Sequence, residues 1–131
     1  MPRLTGILET SLYVANLERS VKFYRDVLGC DVVEEGGKLC ALRLADQQIL
    51  LLCEKGACAD LPLGEHDGDG HLHLALAIPA DELSAWEARL SERGVAVEER
   101  RTWERGGRSV YFRDPDRHLI ELATPGVWSI Y

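Results

Sequence analysis

An internal repeat constrains the fold of this sequence more than any other feature. Gly29-Cys30-Asp31-Val32-Val33-Glu34-Glu35 is answered by Gly94-Val95-Ala96-Val97-Glu98-Glu99, matched in glycine, valines and paired acids with a one-residue gap. Self-similarity of this kind encodes one supersecondary unit twice, and neither copy can bury its apolar face alone. The elements around the two segments follow one order. Ile7 to Val14 has the composition of a strand, Asn16 can cap a helix over 17–28, and Leu17, Val21, Tyr24 and Leu28 recur at helical spacing. Gly29 ends that helix. Asp31 to Glu35, Leu39 to Ala45 and Gln48 to Cys53 are short β-rich runs separated by turns at Gly36-Gly37 and Asp46-Gln47.

The second copy predicts a strand from His71 to Ile78, a helix starting at Pro79-Ala80-Asp81 with Leu83, Trp86 and Leu90 on one face, and a stop at Gly94. Arg108 to Arg113 and His118 to Thr124 read as strands flanking a tight Asp114-Pro115-Asp116 turn. The expected fold is therefore α+β. Two βαβββ modules, 5–55 and 70–126, are joined by a Gly, Asp and Pro rich loop, 56–69, in one domain. Side by side they make a curled eight-stranded mixed sheet with helices outside and a concave face suited to a pocket.

Composition narrows the function. The 131 residues are 46% hydrophobic and 28% charged, the balance of one globular domain. A net charge of -7 repels phosphate backbones and anionic lipid, so the partner expected is a small molecule, with no nucleic acid and no membrane. The longest run without a polar side chain is Leu74 to Ala80, far short of the roughly 20 residues of a spanning helix. The first residues lack the apolar stretch of a secretory signal, and a cytoplasmic location is expected. Cys30, Cys40, Cys53 and Cys58 read as structural thiols, with no spacing that suggests a zinc knuckle or redox pair.

Three residues stand out chemically. Glu9 and His73 each lie five residues before the β-branched end of their strands, and Glu121 falls where the first module has Leu51. A glutamate between Ile120 and Leu122 in a core strand is costly unless its charge is compensated. A divalent cation would do so, and one imidazole with two carboxylates suits zinc, manganese, iron(II), nickel or cobalt with positions left for substrate. The plainer alternatives are a solvent-facing Glu9, a His73 bonded to a carbonyl, and a Glu121 paired with Arg108 or Arg113. His71 shares the face of His73 and is a candidate at the pocket rim. His66 and His118 are expected in exposed loop and turn positions.

The stretches 8–20 (Leu-Glu-Thr-Ser-Leu-Tyr-Val-Ala-Asn-Leu-Glu-Arg-Ser), Phe23 to Gly29, His73 to Pro79, and Gly107 to Asp116 through Glu121-Leu122 resemble the vicinal oxygen chelate superfamily of glyoxalase I, bleomycin resistance proteins, extradiol dioxygenases and fosfomycin resistance enzymes. The resemblance covers nearly the whole chain. It implies a metal held by Glu9, His73 and Glu121 and chelated by two substrate oxygens, with Glu9 or Glu121 free to serve as a base. It also implies a homodimer with sites shared between chains. Leu51, where glyoxalase I has a further glutamate ligand, argues against that enzyme. The three-ligand pattern and the ending Arg108-Ser109-Val110-Tyr111-Phe112 are nearer the fosfomycin enzymes, a transferase or hydrolase reading. Tyr111 and Arg108 are expected to hold a substrate oxyanion, and Tyr13 to share the face of Glu9. Trp103 and Trp128 are expected near the pocket mouth. The competing class is a metal-free protein that sequesters an aromatic or cationic molecule through Tyr13, Trp103 and Tyr111.

Overall fold

Alternation of apolar and polar side chains sets the first sheet. In the computed structural model, which describes residues 1–131, β1 (Glu9–Val14) turns Leu12 and Val14 to one face, where both are buried. β2 (Asp31–Gly36), β3 (Leu39–Ala45) and β4 (Gln48–Glu54) follow, and Leu42, Leu50 and Leu52 join the same face with no exposed surface. Burial of each such leucine contributes about 1.5–3 kcal/mol. The cover is α1 (Leu17–Leu28), which packs on β3 and β4 and buries Leu17, Val21, Tyr24 and Val27. Its start is fixed by the Asn16 side chain, which accepts from the Arg19 N–H at 2.9 Å, and its end by Gly29 at φ 72°. The strand order is β1-β4-β3-β2, with β1 parallel to β4.

The second unit repeats this plan. β5 (His73–Ala77), a single 3₁₀ turn (Ala80–Glu82), α2 (Leu83–Glu92), β6 (Glu99–Thr102), β7 (Arg108–Arg113) and β8 (Leu119–Ala123) form a sheet of order β5-β8-β7-β6. Again the first and last strands are parallel. The chain divides at Asp69/Gly70 into two compact units. Hydrogen bonding closes within each module, so the eight expected strands form two sheets of four rather than one continuous ladder. No helix is long and apolar enough to cross a membrane.

The repeat is inexact at one place, and one local expectation changes. The repeated segment ending at Glu99 does not pair along its length, because its start is spent closing α2: the Val95 N–H returns to the Leu90 carbonyl with Gly94 at φ 71°, and bonding to β7 begins with the Glu98 N–H, which donates to the Tyr111 carbonyl at 2.7 Å. His118 is not an exposed turn residue. Asp114 Oδ1 accepts from the backbone N–H groups of Asp116 and His118, and Arg117 at φ 65° turns the chain inward. His118 is therefore 1% exposed, and its Nδ1 accepts from the Leu72 N–H at 2.9 Å.

Candidate functional site

Register decides which side chains meet in the second sheet. β5 places His73 beside Leu119 and Ala75 beside Glu121, while antiparallel β7 sets Tyr111 directly across from Glu121. β6 adds Arg101 across from Ser109. His73, Glu121, Tyr111, Ser109 and Arg101 thus project from one face, and Val110, Phe112, Ile120 and Leu122 from the other, buried one.

Glu121 is the centre of this face and is only 6% exposed. Its Oε2 accepts from the Ser109 hydroxyl at 2.7 Å, and the Ser109 oxygen accepts from the Trp103 indole N–H at 2.8 Å. That chain fixes the carboxylate in one orientation. The other oxygen, Oε1, lies 3.4 Å from His73 Nε2. His73 Nδ1 is 2.8 Å from the Leu119 carbonyl oxygen, which can only accept, so Nδ1 carries the ring proton. In the neutral ring Nε2 is then a lone pair facing a carboxylate oxygen with no hydrogen between them. Two donors at this separation match the spacing of neighbouring ligands on a tetrahedral ion with bonds of about 2.1 Å. The donor set fits a divalent cation.

Around the pair, the Tyr111 ring stacks on His73 with centroids 6.5 Å apart. Burial, and then the charge of Glu121, push the Tyr111 phenol above its usual range, so it is a neutral hydrogen-bond donor. Arg101 holds Glu99 at 2.9 Å and lies over the Trp103 ring with its guanidinium carbon 5.0 Å from the centroid. Its charge is felt at both Tyr111 and Glu121.

In the first sheet, Glu9, Ser11 and Tyr13 share a face with Ile49, Leu51 and Cys53. Glu9 stands beside Ile49 as His73 stands beside Leu119, so the two hold the same place in their modules, and Leu51 occupies the place of Glu121. Glu9 is exposed. The Tyr13 hydroxyl is engaged by His66 Nδ1 at 2.6 Å, and His66 is half-buried rather than an exposed loop residue. A groove lined by Asn16, Glu18, Glu35 and Glu54 opens beside the start of α1 and takes in none of the candidate residues.

The structure therefore brings His73, Glu121, Tyr111 and Trp103 together within the second unit. Arg108 is out of line with them: it is exposed and shares the Val110 face of β7, while its backbone N–H donates to Thr124 Oγ1. His71 precedes β5 and is exposed, and Trp128 is 70% exposed. The Trp103 indole N–H donates to Ser109, which in turn donates to Glu121. Arg113 pairs with Glu98 at 2.9 Å and pulls that carboxyl below its usual range, so the alternative of a Glu121–Arg113 pair is removed. Ser109 and Arg101 are the residues that sequence reasoning missed. The alternation of β7 with β8 would have found Ser109, two positions before Tyr111.

The sequence profile described as "Glyoxalase/Bleomycin resistance protein/Dioxygenase superfamily" matches residues 6–122. The chain belongs to this superfamily. Among superfamily relatives, the chain is 32% identical to the metallothiol transferase FosB of Staphylococcus epidermidis over 92% of its length and 84% of that protein. It is also 32% identical to the catechol-2,3-dioxygenase of Bacillus subtilis, over 90% of this chain but 41% of the relative. Among solved structures, the lactoylglutathione lyase of Agrobacterium tumefaciens matches with a TM-score of 0.91 and 28% identity, over 98% of this chain and 99% of the other. These superfamily relatives are enzymes, a transferase, a dioxygenase and a lyase, and divalent metals are in use among them.

Proposed function

We propose that this chain is a divalent-metal-dependent enzyme that acts on a small oxygenated anion. Glu9, His73 and Glu121 would hold the ion. The observation that carries the reading is the facing pair His73 Nε2 and Glu121 Oε1, 3.4 Å apart, each pinned from behind by a bond that leaves its lone pair forward. When bound, the ion supplies Lewis-acid polarisation of adjacent substrate oxygens. Ser109 and Trp103 hold Glu121 in place. Tyr111 donates a hydrogen bond to developing negative charge, and Arg101 attracts a carboxylate or phosphonate. Glu9, the exposed carboxylate, would also be placed to accept a proton from substrate. In this reading the active form is a homodimer, and sedimentation showing only monomer at micromolar concentration would remove that part.

Among reactions, thiol transfer is favoured over ring cleavage, because the metallothiol transferase is matched over 84% of its length and the catechol dioxygenase over 41%. Manganese(II) titration followed by electron paramagnetic resonance tests the metal. One equivalent is expected in the wild type and loss in Glu9→Gln, His73→Ala and Glu121→Gln. Manganese-loaded protein is then assayed with a thiol and an epoxide phosphonate, with hemithioacetals and with catechols. Failure to retain any stoichiometric divalent ion would leave the metal-free sequestering protein as the better reading.

A further inference from the structure

The first module carries a second set of ligands that the proposed activity does not use. Cys53 at the end of β4, Cys58 in the turn that follows and His66 in the connecting segment offer two sulfurs and one ring nitrogen, all within 4.8 Å of one another. Their spacing along the chain, four residues and then seven between ligands, is no recognised motif, and only the fold gathers them. Cys53 and Cys58 are 0% and 3% exposed, and both are free thiols.

Several features hold this arrangement before any ion arrives. The His66 N–H donates to the Cys58 carbonyl at 2.9 Å, and the ring is fixed by Tyr13 at Nδ1. Tyr13 itself stands beside Cys53 in the β1–β4 register. The segment is tied further by Lys55 to Asp69 at 2.8 Å and by the Gly56 N–H to Asp67 at 3.2 Å. Gly68 lets the segment pass over the Tyr13 ring, since a Cβ there would lie 2.5 Å from it.

We infer that Cys53, Cys58 and His66 form a zinc site, separate from Glu9, His73 and Glu121, that clips the 55–69 segment onto the first sheet. Two thiolates and a neutral imidazole are the ligands that zinc selects, and together with the ion they make a centre of zero net charge, which suits a buried position. Closing the set requires small side-chain rotations, because neighbouring ligands on zinc are about 3.5–3.8 Å apart given bonds of about 2.1–2.3 Å. One coordination position is left for water. Two protons leave the thiols to solvent, and no electron is transferred.

Cobalt(II) titration of the reduced, metal-free full chain tests the site. One equivalent should give a thiolate-to-cobalt charge-transfer band with strong tetrahedral visible bands. Zinc should abolish them and protect two of the four thiols from alkylation, located by mass spectrometry. The band should vanish in Cys53→Ser and in Cys58→Ser. It should weaken at least tenfold in affinity in His66→Asn, whose half-buried position makes it the safer variant for folding. It should persist in the His73→Ala/Glu121→Gln double variant, so failure here and failure of the proposed enzyme site are separable. Absence of the charge-transfer band in the wild type, its loss in the double variant, or formation of a Cys53–Cys58 disulfide without retained metal would overturn the inference.

Discussion

The two modules share one topology and differ in what the equivalent sheet face presents. In the second, Glu121 is bonded by Ser109 and faces His73. In the first, the place of Glu121 is taken by Leu51, that of Ala123 by Cys53, and that of Ala77 by Tyr13. The backbone ladder is indifferent to these exchanges, because strand pairing uses main-chain groups and the far face carries the apolar burial. Duplication thus supplies one frame twice, and its free face can hold carboxylate and imidazole chemistry in one copy and thiol chemistry in the other.

The sharpest way to break this comparison is to make the modules alike. Glu121→Leu copies Leu51 into the second sheet and should lower metal-dependent turnover by about a thousandfold, about 4 kcal/mol of transition-state stabilisation. Glu121→Gln separates that loss from destabilisation by the unpaired Ser109 and Tyr111 hydroxyls. If both variants retain manganese(II), Glu121 is not a ligand. The next contrast lies one residue before each last-strand anchor, where the second module has buried His118 and the first has exposed Gln48. His118→Ala orphans the Leu72 N–H and leaves a cavity, and should cost about 3 kcal/mol in urea unfolding. Gln48→Ala should cost less than about 0.5 kcal/mol.

Ser109→Ala leaves His73 and Glu121 in place but frees Glu121 to turn, and metal affinity should fall about tenfold with the fold intact. Titration calorimetry with manganese(II) reads this directly. The smallest effect concerns Tyr111. Its folded pKa lies above the ordinary tyrosine value of about 10, so the folded chain binds more protons than the unfolded chain as pH rises past that value. Its stabilising contribution is complete below about pH 10 and lost as pH rises through the folded value. Tyr111→Phe should therefore flatten the alkaline decline of thermal stability in the metal-free protein. An unchanged slope would mean that neither burial nor the charge of Glu121 holds the phenol above its usual range.

Local chemistry made much of the fold legible. The Asn16 cap, the Gly29 stop, the bounds of α1, β3 and β7, and the repeated module follow from neighbours within a few residues, where periodicity and turn chemistry act. His73 and Glu121 were legible for a different reason: a histidine where the first module has Glu9, and an acid where it has Leu51, stand out from apolar surroundings. Ser109, Arg101, the inward His118 and the His66–Tyr13 bond were not legible. Each owes its role to a partner on another strand or in a distant turn, 53 residues away for His66 and 46 for the His118–Leu72 bond. The alternation of β7 puts Arg108 on the face opposite Tyr111, away from Glu121.

By itself, the sequence determined the two modules, their helices and the superfamily to which the chain belongs, because caps, glycine stops and alternating apolar residues act over a few bonds. The tertiary structure alone decided which polar atoms meet. The register of β5, β7 and β8 brings His73 Nε2 to 3.4 Å from Glu121 Oε1, and the path of the 55–69 segment sets His66 against Cys53 and Cys58. Those encounters depend on hydrogen-bond directions between remote segments, which a linear pattern of residue types does not contain.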